Sequence, residues 1–355
     1  MATKSPAPLS FVQVGMGGWG RSWAEELQKY PELSHTVGYV DVEPEMLRLL
    51  RRDVGIPEPL CFGSLQDALA ATEAEAVLVT TALPGHAPVA IEALEAGKHV
   101  LVEKPIAPTI ADARRMIDAA QAAGRMLMVS QNYRFYPAAQ TAARLVRDGE
   151  LGPVGSVSLQ FRKYGNTADP ATNAHYRIAQ PLLLDMAIHH FDLMRFVLDA
   201  EPVSVASVTS NPPWSRFVEP PTAVTTVRFP NDVTVAYEGS WVSSGRPTTW
   251  AGDWRVECEQ GAIEWTGRDD LTTDSDRVLI RRLGKKPQEV KLPAMDRFDR
   301  AGSVREFRDA IREGRSPVTS GEANLGTLAL TLAAIEASIT GRPQDVAAML
   351  DGDAA

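Results

Sequence analysis

Three ionisable residues, Asp185, His189 and Asp192, stand in the otherwise apolar stretch QPLLLDMAIHHFDLMRFVLD, residues 180 to 199. Charged groups seldom occupy a buried helix without a partner. At about 100° per residue the three fall in a stripe about 60° wide, and the i, i+4 and i, i+3 relations bring both carboxylates within reach of the imidazole. Carboxylates beside a histidine favour its protonated form and tune it for proton transfer near neutral pH. A buried Asp-His pair that only ties the helix to its neighbours would use the same residues, whereas a metal site has no fourth ligand at suitable spacing. His190 points elsewhere, among Met186, Leu193 and Val197, and reads as a packed core histidine.

Lys104 is a second candidate. It follows the β-rich run HVLV and Glu103 and precedes Pro105, so a restricted turn launches its side chain from a strand end. A surface lysine paired with Glu103 is the bland alternative; the position at a strand terminus favours chemistry.

The elements that must carry these groups read as two halves. LSFVQVGMGGWGRSWAEEL is a strand, a turn with Gly15, Gly17, Gly18 and Gly20 around Trp19, and a helix. Glycines at this spacing also occur in ordinary turns, but between strand and helix they permit a tight bend and close approach of a pyrophosphate to a helix N-terminus. A second strand ends at Asp41, 21 residues beyond Gly20, where an acid accepts hydrogen bonds from an adenosine ribose. Val42 beside it offers no cation to a 2′-phosphate, so NAD is favoured over NADP, with Arg48, Arg51 and Arg52 as the reservation. Strand and helix patterns then alternate to about residue 130, which predicts a doubly wound parallel sheet. Ligands of such sheets lie beyond the strand C-termini, where Thr81, Leu83, His86, Glu103, Lys104 and Asn132 also fall.

From residue 131 onward, and chiefly after 150, long alternating segments such as VGSVSLQFRKY, PTAVTTVRFP and DVTVAYEGSWV predict a mostly antiparallel open sheet in an α+β domain extending to residue 355. The open face could serve oligomerisation. The Trp- and Arg-bearing loops 210–222 and 243–254 could face a hydroxyl-rich ligand or be stiffened connections and subunit contacts.

Composition narrows the field. The 355-residue chain has a formal charge of -9 with Lys and Arg scattered, so no nucleic-acid footprint is present. Only Cys61 and Cys258 occur, which indicates neither a disulfide framework nor a zinc site and fits a reducing cytoplasm. The polar start MATKSPAPLS and the lack of an apolar run approaching about 18 residues predict neither a leader nor a membrane span.

The glycine turn, Glu103-Lys104-Pro105, the NYRFYP stretch from Asn132 to Pro137, the Asp185-His189-Asp192 spacing and the terminal SITGRPQDV together resemble the family of glucose-fructose oxidoreductases and inositol dehydrogenases (GFO/IDH/MocA). The resemblance covers essentially the whole chain. It departs at Gln180-Pro181, where many members pair glycines, and at Ala187, where they carry glycine. It implies that Lys104, Asp185 and His189 form the catalytic group, that Asp192 is a substrate- or cofactor-side acid, and that Arg134 and Tyr164 join them around the substrate. His189 would take the proton of a ring secondary hydroxyl, Lys104 would hydrogen-bond the same oxygen, and Asp185 would orient the pair while hydride passes to nicotinamide. Three readings stay open: a sugar, cyclitol or glycoside dehydrogenase, a glycoside-cleaving enzyme that recycles retained NAD, and a non-catalytic dinucleotide-binding regulator. The family also implies a homodimer or homotetramer.

Overall fold

A computed structural model describes residues 6–269 and 272–351. The chain divides into two units, Met1–Asn132 with Arg300–Leu325 and Tyr133–Asp299 with Gly326–Ala355.

The first unit is a six-stranded parallel sheet in the order β3-β2-β1-β4-β5-β6. Its strands are β1 (Leu9–Val14), β2 (Ser34–Val40), β3 (Cys61–Phe62), β4 (Ala76–Val79), β5 (His99–Val102) and β6 (Leu127–Val129). Five helices alternate with them: α1 (Gly18–Gln28), α2 (Pro44–Val54), α3 (Leu65–Ala71), α4 (His86–Glu95) and α5 (Ile110–Ala123). Every residue of β1 and β4 is buried, as central strands covered on both faces require. The order reverses between β1 and β4, which is where sheets of this type bind ligands. Local signals set the helix ends. Ser64 and Thr109 accept the N–H groups of Asp67 and Asp112, while Gly55 and Gly124 close α2 and α5 in the left-handed region.

The second unit is built on a nine-stranded sheet, β14-β13-β12-β11-β7-β10-β9-β8-β15. After α6 (Pro137–Arg147) come β7 (Val154–Arg162), α7 (Ile188–Leu198), β8 (Ser204–Ser210), β9 (Thr222–Arg228), β10 (Thr234–Ser240), β11 (Asp253–Cys258), β12 (Gly261–Thr266), β13 (Arg277–Arg282) and β14 (Gln288–Glu289). All neighbours are antiparallel except the β7–β10 pair, which is parallel. Leu159, Phe161, Tyr237, Trp254, Val256 and Trp265 lie on its buried face. Ser158, Gln160, Arg255, Val224 and Val208 alternate outward, and a concavity of about 410 Å³ opens on that side between β7, β11, β12 and β13.

The remaining elements are α8 (Asp299–Glu313), α9 (Gly321–Thr340), β15 (Gln344–Asp345) and α10 (Val346–Asp351). A single division near residue 130 would place all of α8 in the second domain. Instead Arg300–Leu325 belongs to the first unit, because Phe307 stacks on Phe11 of β1 and Arg312 forms hydrogen bonds to the Glu75 carboxylate at 2.5 and 3.0 Å. The helix expected over about 181 to 198 is a π-helical turn, Leu183–Ala187, followed by α7. Among the described helices, α9 alone is long and apolar enough to cross a membrane by length and composition, and over half of that window is buried in the protein. Its leucines are spaced by Ala, Thr and Gly, so no unbroken apolar run marks it in the sequence.

Candidate active site

In the first unit the glycine turn is shaped by contacts that leave no room for side chains. Gly15 has φ +97°, and a Cβ there would come within 2.6 Å of the Thr81 backbone. A Cβ on Gly20 would stand 1.8 Å from the Gly15 carbonyl oxygen. Two buried polar groups pin the turn: Gln13, which sequence reasoning did not single out, and Thr80 at the end of β4. Gln13 donates to the Gly20 carbonyl at 2.7 Å, and the Thr80 hydroxyl donates to that of Gly15 at 2.8 Å. Beside Gly17 and Gly18 the protein leaves open space, and Gly17 supplies no side-chain cap to α1. The first N–H groups of α1 are therefore free to meet an anion. The two oxygens of Asp41 accept the N–H groups of Met16 at 2.6 Å and Glu43 at 2.9 Å, which fixes the carboxylate and leaves lone pairs for ribose hydroxyls. Tight backbone approach, open space at two glycines and a fixed acid together fit a dinucleotide.

Behind the turn runs a chain of contacts to Lys104. The Arg300 guanidinium lies 5.0 Å from the half-exposed Trp19 ring and 5.3 Å from Trp23. The Trp23 indole donates to one oxygen of buried Glu103 at 2.7 Å, and the other oxygen accepts the Lys104 backbone N–H at 3.1 Å. Glu103 thus positions the backbone from which Lys104 projects. His86 faces the Pro105 carbonyl at 2.8 Å and the Thr81 carbonyl at 3.1 Å, so it braces the two loops. Burial lowers its pKa, against the pull of those carbonyls. Leu83 begins the short turn before α4, and Asn132 is buried at the end of the unit.

In the second unit, His189 is buried on α7 with its ring parallel to Tyr133, centroids 4.1 Å apart and planes 7° apart. Asp185 sits in the π-helical turn, part exposed, with its carboxylate 3.9 Å from His175. His175 was not foreseen, because nothing in its local sequence distinguishes it; its ring packs edge-on against Trp241 and Phe217. Asp192 forms a bidentate pair with Arg134 at 2.6 and 2.8 Å and accepts the Thr327 hydroxyl at 3.0 Å. His190 faces the Tyr237 hydroxyl at 3.2 Å and the Trp250 carbonyl at 2.9 Å, and burial pushes its pKa down to about 4. It is a core residue, as its neighbours suggested.

The two long loops are tied to the framework. Asn166 donates to the Trp214 carbonyl and accepts the Arg216 N–H, and Arg216 bonds the carbonyls of Thr167 and Ala168, so 210–222 is clasped to the segment after β7. Trp250 of the other loop carries the His190 bond and packs against Trp241 and Phe161. Tyr164 and Trp214 remain exposed. Gln180 has φ +48°, a region that favours glycine, and its N–H is held by Glu219 at 2.7 Å. The backbone bend is therefore kept without the glycine.

A doubly wound dinucleotide domain joined to an open α+β domain defines a two-part oxidoreductase. Residues 9–131 match the NAD-binding Rossmann fold of the GFO/IDH/MocA oxidoreductase family and residues 139–264 match that family's C-terminal domain, and the chain belongs to this family. NAD is accordingly its cofactor. A 1,5-anhydro-D-fructose reductase of Ensifer adhaerens is 25% identical over 289 residues, covering 80% of this chain and 83% of that one. A myo-inositol 2-dehydrogenase of Thermotoga maritima is 24% identical over 330 residues, covering 90% and 94%. The crystal structure of an aldose-aldose oxidoreductase from Caulobacter crescentus, complexed with glycerol, superposes with a TM-score of 0.82 at 26% identity, covering 95% of this chain and 99% of the other.

Proposed function

We propose that the protein is an NAD-linked dehydrogenase that interconverts a ring secondary alcohol of a sugar, cyclitol or glycoside with the ketone. The observation that carries the reading is His189, a buried imidazole held flat in an apolar helix of a chain whose other unit binds NAD. When bound, NAD supplies the hydride acceptor. In this reading His189 removes the hydroxyl proton, Lys104 of the first unit hydrogen-bonds the same oxygen as it becomes a carbonyl, and Asp185 orients His189 with His175 as its second neighbour. Exposed Tyr164 contributes substrate contact, whereas Arg134 and Asp192 act by holding α7 in place. Asp41 next to exposed Val42 supports NAD over NADP.

The test is reduction of added NAD against a panel of monosaccharides, inositols and glycosides, with Lys104→Ala and His189→Ala as controls. Substrate-dependent reduced nicotinamide that both variants abolish is the expected result, and a signal that survives them overturns the assignment. The likeness to an aldose-aldose oxidoreductase supports a second reading, in which NAD stays bound and is recycled between two sugars. NAD released on denaturing the purified protein, without net reduction during turnover, would select it. We also infer that the outward sheet face with Val208 and Val224 joins copies of the chain into a homodimer or homotetramer, and that the protein works in the cytoplasm.

A further inference from the structure

We propose that Tyr133, tethered by Arg268, is a positioning residue for His189 and sets the plane in which the imidazole meets a substrate hydroxyl. This rests on the dehydrogenase reading. The helix fixes where the histidine side chain begins, but the last torsion of an imidazole is broad and roughly two-fold, so the ring plane needs a flat partner. Tyr133 supplies one, parallel within 7° at 4.1 Å.

The phenol is itself held. Its oxygen accepts a hydrogen bond from the Arg268 guanidinium at 3.0 Å, and the guanidinium carbon lies 4.2 Å from the ring centroid. Arg268 is buried and pairs with Asp299 at 3.6 Å. Its backbone N–H donates to Asp276 at 2.9 Å, and the same carboxylate accepts the Ala138 N–H at the start of α6. The chain of contacts thus runs from α6 through Asp276, Arg268 and Tyr133 to the imidazole. Burial raises the Tyr133 pKa, so the phenol stays protonated, and its part in the reaction is to orient rather than to exchange a proton. His190, next along the helix, is held by Tyr237 and Trp250 and meets the Tyr133 ring edge-on at 6.5 Å, so the parallel stack is made with His189.

The experiment combines histidine-labelled NMR, with the His189 signals assigned by their loss in His189→Ala, and steady-state kinetics. In the wild type the ring protons of His189 are displaced upfield by the ring current of the parallel phenol. Tyr133→Phe keeps that displacement and recovers most of the turnover. Tyr133→Leu abolishes the displacement and lowers kcat by about 10- to 100-fold, with KM moving by less than about threefold. A folded Tyr133→Leu protein with kcat within about twofold of wild type overturns the proposal. If Tyr133→Leu does not fold, Tyr133→Met, which fills the space without a flat ring, carries the same comparison. Wild-type turnover with an undisplaced His189 signal overturns the positioning alone; absence of turnover in the wild type across the panel overturns the dehydrogenase reading and the role that depends on it.

Discussion

Asp192 grips Arg134 through both carboxylate oxygens, at 2.6 and 2.8 Å, and takes a third hydrogen bond from Thr327 at 3.0 Å, all with almost no access to solvent. Removing one partner leaves the other charge buried and uncompensated. Asp192→Ala is therefore expected to cost about 3 to 5 kcal/mol of stability. Urea unfolding at constant slope measures it; a loss below about 1 kcal/mol would show the pair to be worth no more than a surface ion pair.

Asp41 governs the cofactor. Asp41→Ala is expected to weaken NAD binding by about tenfold, the scale of a charge-assisted hydrogen bond. Asp41→Ser combined with Val42→Arg removes the acid and adds a cation for a 2′-phosphate, and should reverse the preference toward NADP. Fluorescence titration with both dinucleotides reads the ratio; an unchanged ratio would place the adenosine ribose elsewhere.

Two glycines of one turn should behave differently. Gly20→Ala drives a methyl into the Gly15 carbonyl and is expected to cost about 1 to 3 kcal/mol along with NAD binding. Gly17→Ala meets nothing in the protein, so the melting temperature should hold while NAD affinity falls. Thermal melts with and without NAD separate the two; equal loss of stability would contradict the open space beside Gly17.

His190 predicts an acid weakness. Its pKa is about 4 in the folded protein and about 6.5 in the unfolded chain, so over that window the unfolded state binds the extra proton. Stability then falls as pH falls from about 6.5 to about 4, with a slope near 1.4 kcal/mol per pH unit from this group. Asp276, raised to about 6 by burial, has the opposite sign, since its folded form takes up a proton first. The difference between wild type and His190→Gln, by urea unfolding across that range, isolates the histidine. Parallel pH profiles would remove its role.

The first unit was largely legible because its signals are local. The glycine turn, Asp41, the run before Glu103-Lys104 and the strand-helix alternation all sit within a few residues of what they determine. The α7 residues were legible as types but only partly as geometry. A uniform 100° period cannot register a π-helical turn, and Asp192 was read toward ligand when Arg134 and Thr327, distant in sequence, hold it. His175, Gln13 and the Tyr133 stack escaped for the same reason, since each acquires its meaning from a partner that no local pattern names. The return of Arg300–Leu325 to the first unit is likewise a long-range packing choice.

The parallel pairing of β7 with β10 bears on how the chain is made. β7 finds its two neighbours, β10 and β11, only in sequence that lies beyond residue 233. As the chain leaves the ribosome, both edges of this alternating strand wait unpaired while 163–233 emerges, a state open to aggregation and to capture by chaperones. Because that waiting stretch contains α7 and the segment bearing His175, the centre of the sheet closes only after the candidate catalytic residues have emerged.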